Sequence, residues 1–246
     1  MDSIPINEDQ PRDEKVAFGA RDFAENPEPR VPCTLILDVS TSMRGEPIKQ
    51  LNEGLICYKN ELLADPLASK RVEISVITFA TEVATLVEFT TCEKFSPPKL
   101  AAKGRTHMGM AVNKAIDSLE VRKRQYKESG ISFYRPWLFL ITDGGPNDPK
   151  WKSAAKRCVE GDIAKSFSMF CVGVEGANFE KLARFSPREP LKLKGLRFRD
   201  LFMWLSNSQR SVSRSSPGDE VLLDNPATPH GWASTEFSTS KIEDST

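Results

Sequence analysis

Four short runs of nearly unbroken apolar residues, Thr34 to Leu37, Val72 to Phe79, Trp137 to Ile141 and Phe167 to Val174, are separated by longer stretches with a helical period. Runs this continuous suit strands covered on both faces, which is the situation of strands in a parallel sheet flanked by helices. The expected class is therefore α/β: a doubly wound, mostly parallel sheet with helices on both faces. Val83 to Phe89 follows the second run after only three residues, Ala80 to Glu82, too few for a crossover helix. That pair is expected as an antiparallel hairpin at one edge of the sheet.

Between the strands, Ile48, Leu51, Leu55, Tyr58 and Leu62 recur at steps of three and four and predict a helix from 46 to about 64, with Pro47 in its first turn and Asp65-Pro66 after its end. Met108, Val112, Ala115 and Leu119 predict a second, Trp151, Ala155 and Cys158 a third, and Phe198, Leu201, Phe202 and Leu205 a last one near 197 to 208. The ends of the chain differ from this middle. Residues 1 to 30 carry eight acidic and four basic side chains and no sustained period, and read as an acidic extension. From Ser206 to Thr246, 14 residues are Ser or Thr, so 209 to 246 is expected to be largely irregular, with Val221 to Leu223 and Trp232 as its anchors. The expected domain is 31 to 208.

A chain of 246 residues has room for one main core. Its 34 basic and 34 acidic side chains cancel, which removes the bulk field that nucleic acid or an anionic membrane would call for. No apolar stretch approaches the roughly 20 residues of a membrane span. The polar start, MDSIPINEDQPRDEK, lacks an apolar signal core, so a cytoplasmic location is expected. Cysteines 33, 57, 92, 158 and 171 form no C-x-x-C pair and read as reduced, mostly buried thiols.

In an open α/β sheet, ligands bind beyond the carboxyl ends of the strands. The first strand delivers Asp38, Ser40 and Ser42 in DVSTS; the loop before the second major helix delivers Thr106; the Trp137 strand delivers Asp143 in TDGG. Two carboxylates and three hydroxyls form a set of hard oxygen donors, the kind Mg²⁺ or Mn²⁺ accepts. Each segment alone has a plainer explanation, since Asp, Ser and Thr cap helices and shape turns.

Taken together, D-x-S-x-S after the first strand, a threonine before a later helix and an aspartate in T-D-G resemble the metal-ion-dependent adhesion site of von Willebrand factor A domains. STSMRGEPI, VITF and TDGGPND are most similar to the bacterial tellurium-resistance-associated branch, the TerY/YegL type. The resemblance implies Ser40, Ser42 and Thr106 as direct metal ligands, with Asp38 and Asp143 often acting through water. It implies a cytoplasmic adaptor, not an enzyme, in stress- or tellurite-associated systems alongside kinase-like and serine/threonine phosphatase-like proteins. An acidic group of a partner would reach the open metal position, with Arg44, Lys103 and Arg105 as a cationic rim; no nucleic acid or membrane is expected as a partner.

Two other readings stay open. One is a Mg²⁺-dependent phosphatase or other hydrolase using Asp38, although the chain has two histidines, His107 and His230, and no G-x-S-x-G or phosphate loop. The other is recognition through the tails, including occupation of the metal by the acidic stretch Glu8 to Glu28.

Overall fold

The computed structural model describes residues 20–235. In chain order its elements are α1 (Ala20–Glu25), β1 (Val31–Asp38), α2 (Glu46–Leu63), α3 (Ala68–Arg71), β2 (Val72–Phe79), β3 (Val83–Thr91), α4 (Met108–Glu128), β4 (Trp137–Thr142), α5 (Trp151–Ile163), β5 (Ser168–Gly173), α6 (Phe179–Leu182), β6 (Leu191–Leu193), α7 (Phe198–Ser213) and β7 (Ala233–Thr235). One sheet holds all seven strands in the order β3-β2-β1-β4-β5-β6-β7. The pairs β1–β2, β1–β4, β4–β5 and β5–β6 are parallel, and β3 is the expected antiparallel edge.

Every residue of β1, β2 and β4 is buried, as their continuous apolar composition requires. One face of the sheet is covered by α2 and α7, through Leu51, Leu55, Phe198 and Phe202. The other is covered by α4 and α5, through Met108, Val112, Ala155 and Cys158. Because α2 leads to β2 on one side of β1, and α4 leads to β4 on the other, the strand order reverses between β1 and β4. That reversal opens a crevice at their carboxyl ends.

Two expectations about the chain ends are corrected. The last helix runs to Ser213, beyond the boundary expected at 208, because Gln209 and Ser213 are buried against the domain and the Tyr58 hydroxyl donates to Gln209 Oε1 at 2.6 Å. The following segment returns to the sheet. Trp232 is buried against Trp204, and β7 pairs antiparallel with β6, making a second antiparallel edge that the Ser-rich composition did not announce. Leu223 packs on the core, whereas Leu222 is exposed. At the other end, the acidic stretch from Glu8 lies mostly outside the described residues. Glu28, its last member, is held by Arg71 at 2.7 Å, beside the start of β2 and away from the carboxyl-end crevice.

Cys33, Cys92, Cys158 and Cys171 are buried and Cys57 is half-buried, all as free thiols. Burial pushes Cys33, Cys92 and Cys158 up to about 12, which makes them inert packing groups at neutral pH. Among the described residues no helix is long and apolar enough to cross a membrane.

Candidate metal centre

Asp38 is the last residue of β1 and has no exposed surface. Its two oxygens are used in different directions. Oδ1 accepts the Ser40 backbone N–H at 2.8 Å, closing a tight turn, and Oδ2 accepts the Thr142 hydroxyl at 2.5 Å from the end of neighbouring β4. The turn leads into a single 3-10 turn, Thr41–Met43, which sets Ser42 on the same side as Ser40; their hydroxyl oxygens are 3.0 Å apart. The Ser42 hydroxyl donates to Asp143 Oδ1 at 2.8 Å. A chain of contacts thus runs from Ser40 through Ser42 to Asp143, with Asp38 beneath it.

Thr106 is buried and borders the same cluster, since its hydroxyl lies 3.8 Å from where a side chain on Gly144 would begin. Its carbonyl accepts the Asn147 N–H at 3.3 Å, which ties the loop before α4 to the loop after β4. The structure therefore gathers all five candidate oxygen donors at the β1–β4 crevice: four linked through hydrogen bonds, and Thr106 beside them.

Four residues that sequence patterns did not single out hold this arrangement. Thr142 anchors Asp38, as above. Asp148, buried after β4, accepts the Gly109 N–H at 2.8 Å and so caps the first turn of α4 just beyond Thr106. Gly109 itself permits a close approach, because a Cβ there would sit 2.4 Å from the Trp151 backbone. Thr81 supports the loop from below: its hydroxyl accepts the Arg105 N–H at 3.0 Å, while Gly104, at φ +83°, offers its carbonyl to both the N–H and the hydroxyl of Thr41 at 3.0 Å. The only sequence signal for these was the Gly-x-Thr step at 104 to 106; the partners lie 24 to 104 residues away.

The electrostatics of the cluster are lopsided. Burial is the main cause that raises Asp38 to about 6, with the neighbouring Asp143 adding to it and hydrogen bonds from Thr142 and Ser40 opposing it. Burial likewise raises Asp143, opposed by the Ser42 hydroxyl. Neither aspartate forms an ion pair with a described residue. Two close carboxylates without a cation, surrounded by hydroxyl oxygens, are the donor chemistry that a hard divalent ion matches, since it takes oxygen ligands and brings the missing positive charge.

Arg44, Lys103 and Arg105 all stand exposed around the crevice and form no ion pair with a described residue. His107 is half-buried; its backbone N–H is fixed to the Ala80 carbonyl at 2.9 Å.

Comparison with known proteins bears on the family and the fold. Residues 34–192 match the sequence model of the von Willebrand factor type A domain. Inter-alpha-trypsin inhibitor heavy chain H4 of Sus scrofa is 28% identical over 163 residues, covering 60% of this chain but 16% of that protein. Proximal thread matrix protein 1 from the mussel byssus superposes with a TM-score of 0.52 at 16% identity, covering 74% of this chain and 48% of its own. A von Willebrand factor type A protein from Catenulispora acidiphila superposes at 0.57 and 15% identity, covering 74% and 43%. The chain spans less than half the length of each, and at these identities the two solved structures share its fold.

Proposed function

We propose, for a chain that belongs to the von Willebrand factor type A domain family, a protein-interaction module that grips its partner through a bound divalent cation. In this reading Ser40, Ser42 and Thr106 bind Mg²⁺, or Mn²⁺ in its place, directly, while Asp38 and Asp143 balance its charge directly or through water. The cation, when bound, supplies a Lewis-acidic position that accepts a carboxylate from outside. The chain's own residues do the rest. Thr142 and the Ser40 N–H fix the Asp38 carboxylate, the 3-10 turn presents the two serine hydroxyls, and Asp148 and Gly104 hold the loop that carries Thr106.

The observation that carries this reading is the pair of buried aspartates among three hydroxyls with no cationic partner from the described residues. Arg44, Lys103 and Arg105 form the rim that draws an acidic partner in. The chemistry is coordination rather than turnover, and the chain acts as an adaptor instead of an enzyme. The stretches STSMRGEPI and TDGGPND support placing it in the tellurium-resistance-associated TerY/YegL-type branch, as a cytoplasmic component of a bacterial stress-signalling system whose partners are kinase-like or serine/threonine phosphatase-like proteins.

A pull-down from cell extract with Mg²⁺ and with EDTA tests the module. Capture of the same protein by wild type in Mg²⁺, lost both in EDTA and in Asp38→Ala, is expected. Capture indifferent to both changes moves the binding surface elsewhere on the chain, with the tails as the next place to look.

A further inference from the structure

Beside the aspartate cluster, and sharing a wall with it, lies a groove of about 440 Å³ between the β2–β3 hairpin and the loop that precedes α4. Val39, Ala80 and Leu100 form its buried apolar lining, and Leu86 of edge strand β3 stands 46% exposed on its flank. The shared wall is Lys103–Gly104. Its Lys103 N–H is bonded to the Val39 carbonyl at 2.7 Å, and its Gly104 carbonyl holds Thr41, the residue between the two site serines.

We propose that this groove seats an apolar side chain of the same partner segment whose carboxylate enters the metal position, so that the chain reads an acidic residue together with an apolar neighbour. The inference rests on the metal-site reading above and adds a selectivity element to it. An exposed leucine on an edge strand is a feature that folded proteins normally suppress with charge. Here the charges that flank it, Lys99 and Lys103, form no ion pair with a described residue, and Arg44 and Arg105 at the adjoining crevice share that state. Four exposed cations against the single rim carboxylate of Glu82 suit an acidic segment. A carboxylate alone is common to every protein surface and discriminates poorly. An apolar anchor in a desolvated pocket next to it supplies the difference between right and wrong partners.

The test uses random peptides displayed on phage, selected on the full chain in Mg²⁺ and again in EDTA, followed by melting curves and affinity measurements on Leu86→Glu and Leu86→Ser. The expected result is enrichment, in Mg²⁺ only, of peptides carrying Asp or Glu at a fixed spacing from a large apolar residue. Leu86→Glu then binds them at least about tenfold more weakly, Leu86→Ser falls in between, and both variants keep the wild-type Mg²⁺-dependent melting shift. Peptides with the acid but no apolar companion, or undiminished binding by both variants, overturn the groove while leaving the metal site standing. Enrichment that survives EDTA overturns the metal-site reading, and this inference with it. A Mg²⁺-dependent dimer in sedimentation, abolished by Leu86→Glu and accompanied by no peptide enrichment, overturns the proposal in favour of a second copy as occupant.

Discussion

Glu73, at the start of β2, and Asp38, at the end of the adjacent β1, are carboxylates with almost no exposed surface on two strands paired in parallel register. Their surroundings are opposite. Glu73 is gripped by Arg30 at 3.0 Å, by Nε and Nη2 of Arg122 at 2.8 and 2.7 Å and by the Tyr126 hydroxyl at 2.5 Å, with Phe23 of α1 laid over the Arg122 guanidinium at 4.7 Å. Asp162 repeats the pattern with Arg135 at 2.9 Å and with Arg188. Asp38 and Asp143 have only hydroxyl and amide donors. At the amino end of the sheet the chain carries its own cations. At the carboxyl end the two aspartates have no cationic partner among the described residues, and on the proposed reading that difference separates a structural carboxylate from a binding one.

The contrast breaks most sharply at Glu73. Glu73→Gln leaves two buried guanidiniums without a counter-charge, and a loss of about 3–5 kcal/mol is expected in urea denaturation, the same with and without Mg²⁺. A loss under about 1 kcal/mol would mean that the two ends do not differ as described.

The next effect is a pH dependence. Asp38 is raised from 3.8 in the unfolded chain to about 6 in the fold, so between those values the folded state holds the proton more tightly. The contribution of this group to metal-free stability is therefore greatest below about 4 and falls by roughly 3 kcal/mol as pH rises to about 6. Asp38→Asn removes that decline, which denaturation curves across the window will show. A wild-type curve that rises through the window, with no difference from Asp38→Asn, would contradict the assignment.

A smaller effect is expected at Gly104, where φ is +83° and a Cβ would meet the Thr81 hydroxyl at 2.5 Å. Gly104→Ala should cost about 1–2 kcal/mol and weaken Mg²⁺-dependent stabilisation along with it, since the Gly104 carbonyl holds Thr41. An unchanged response to Mg²⁺ would separate the loop from the site.

What the sequence made legible follows from where its information is local. The strands β1, β2 and β4 were legible because burial on both faces writes a continuous apolar run, and the helices because their apolar residues recur at fixed steps. The gathering of the candidate donors Asp38, Ser40, Ser42, Thr106 and Asp143 was legible from their places as strand-end and loop polar residues. The strands β6 and β7 have three residues each, too short to carry a period, and β7 is placed by the burial of Trp232 and not by its own Ala-Ser-Thr. Thr142 and Asp148 act on Asp38 and Gly109, distant in sequence, so nothing in their own neighbourhood marks them. Glu73 lies inside the run VEISVITF, which was read only as an apolar strand, and its arginines come from positions 30 and 122.

Whether a divalent metal supplies positive charge to Asp38 and Asp143 at the carboxyl end of the sheet is read from thermal melting of metal-free wild type, Asp38→Asn and Thr106→Ala at neutral pH with and without Mg²⁺. Saturating Mg²⁺ at about 100 times its Kd is expected to stabilise wild type by about 2.7 kcal/mol, and both variants are expected to lose most of this gain although they fold. Equal Mg²⁺-induced shifts in all three proteins, or none in wild type, would contradict the proposed metal site.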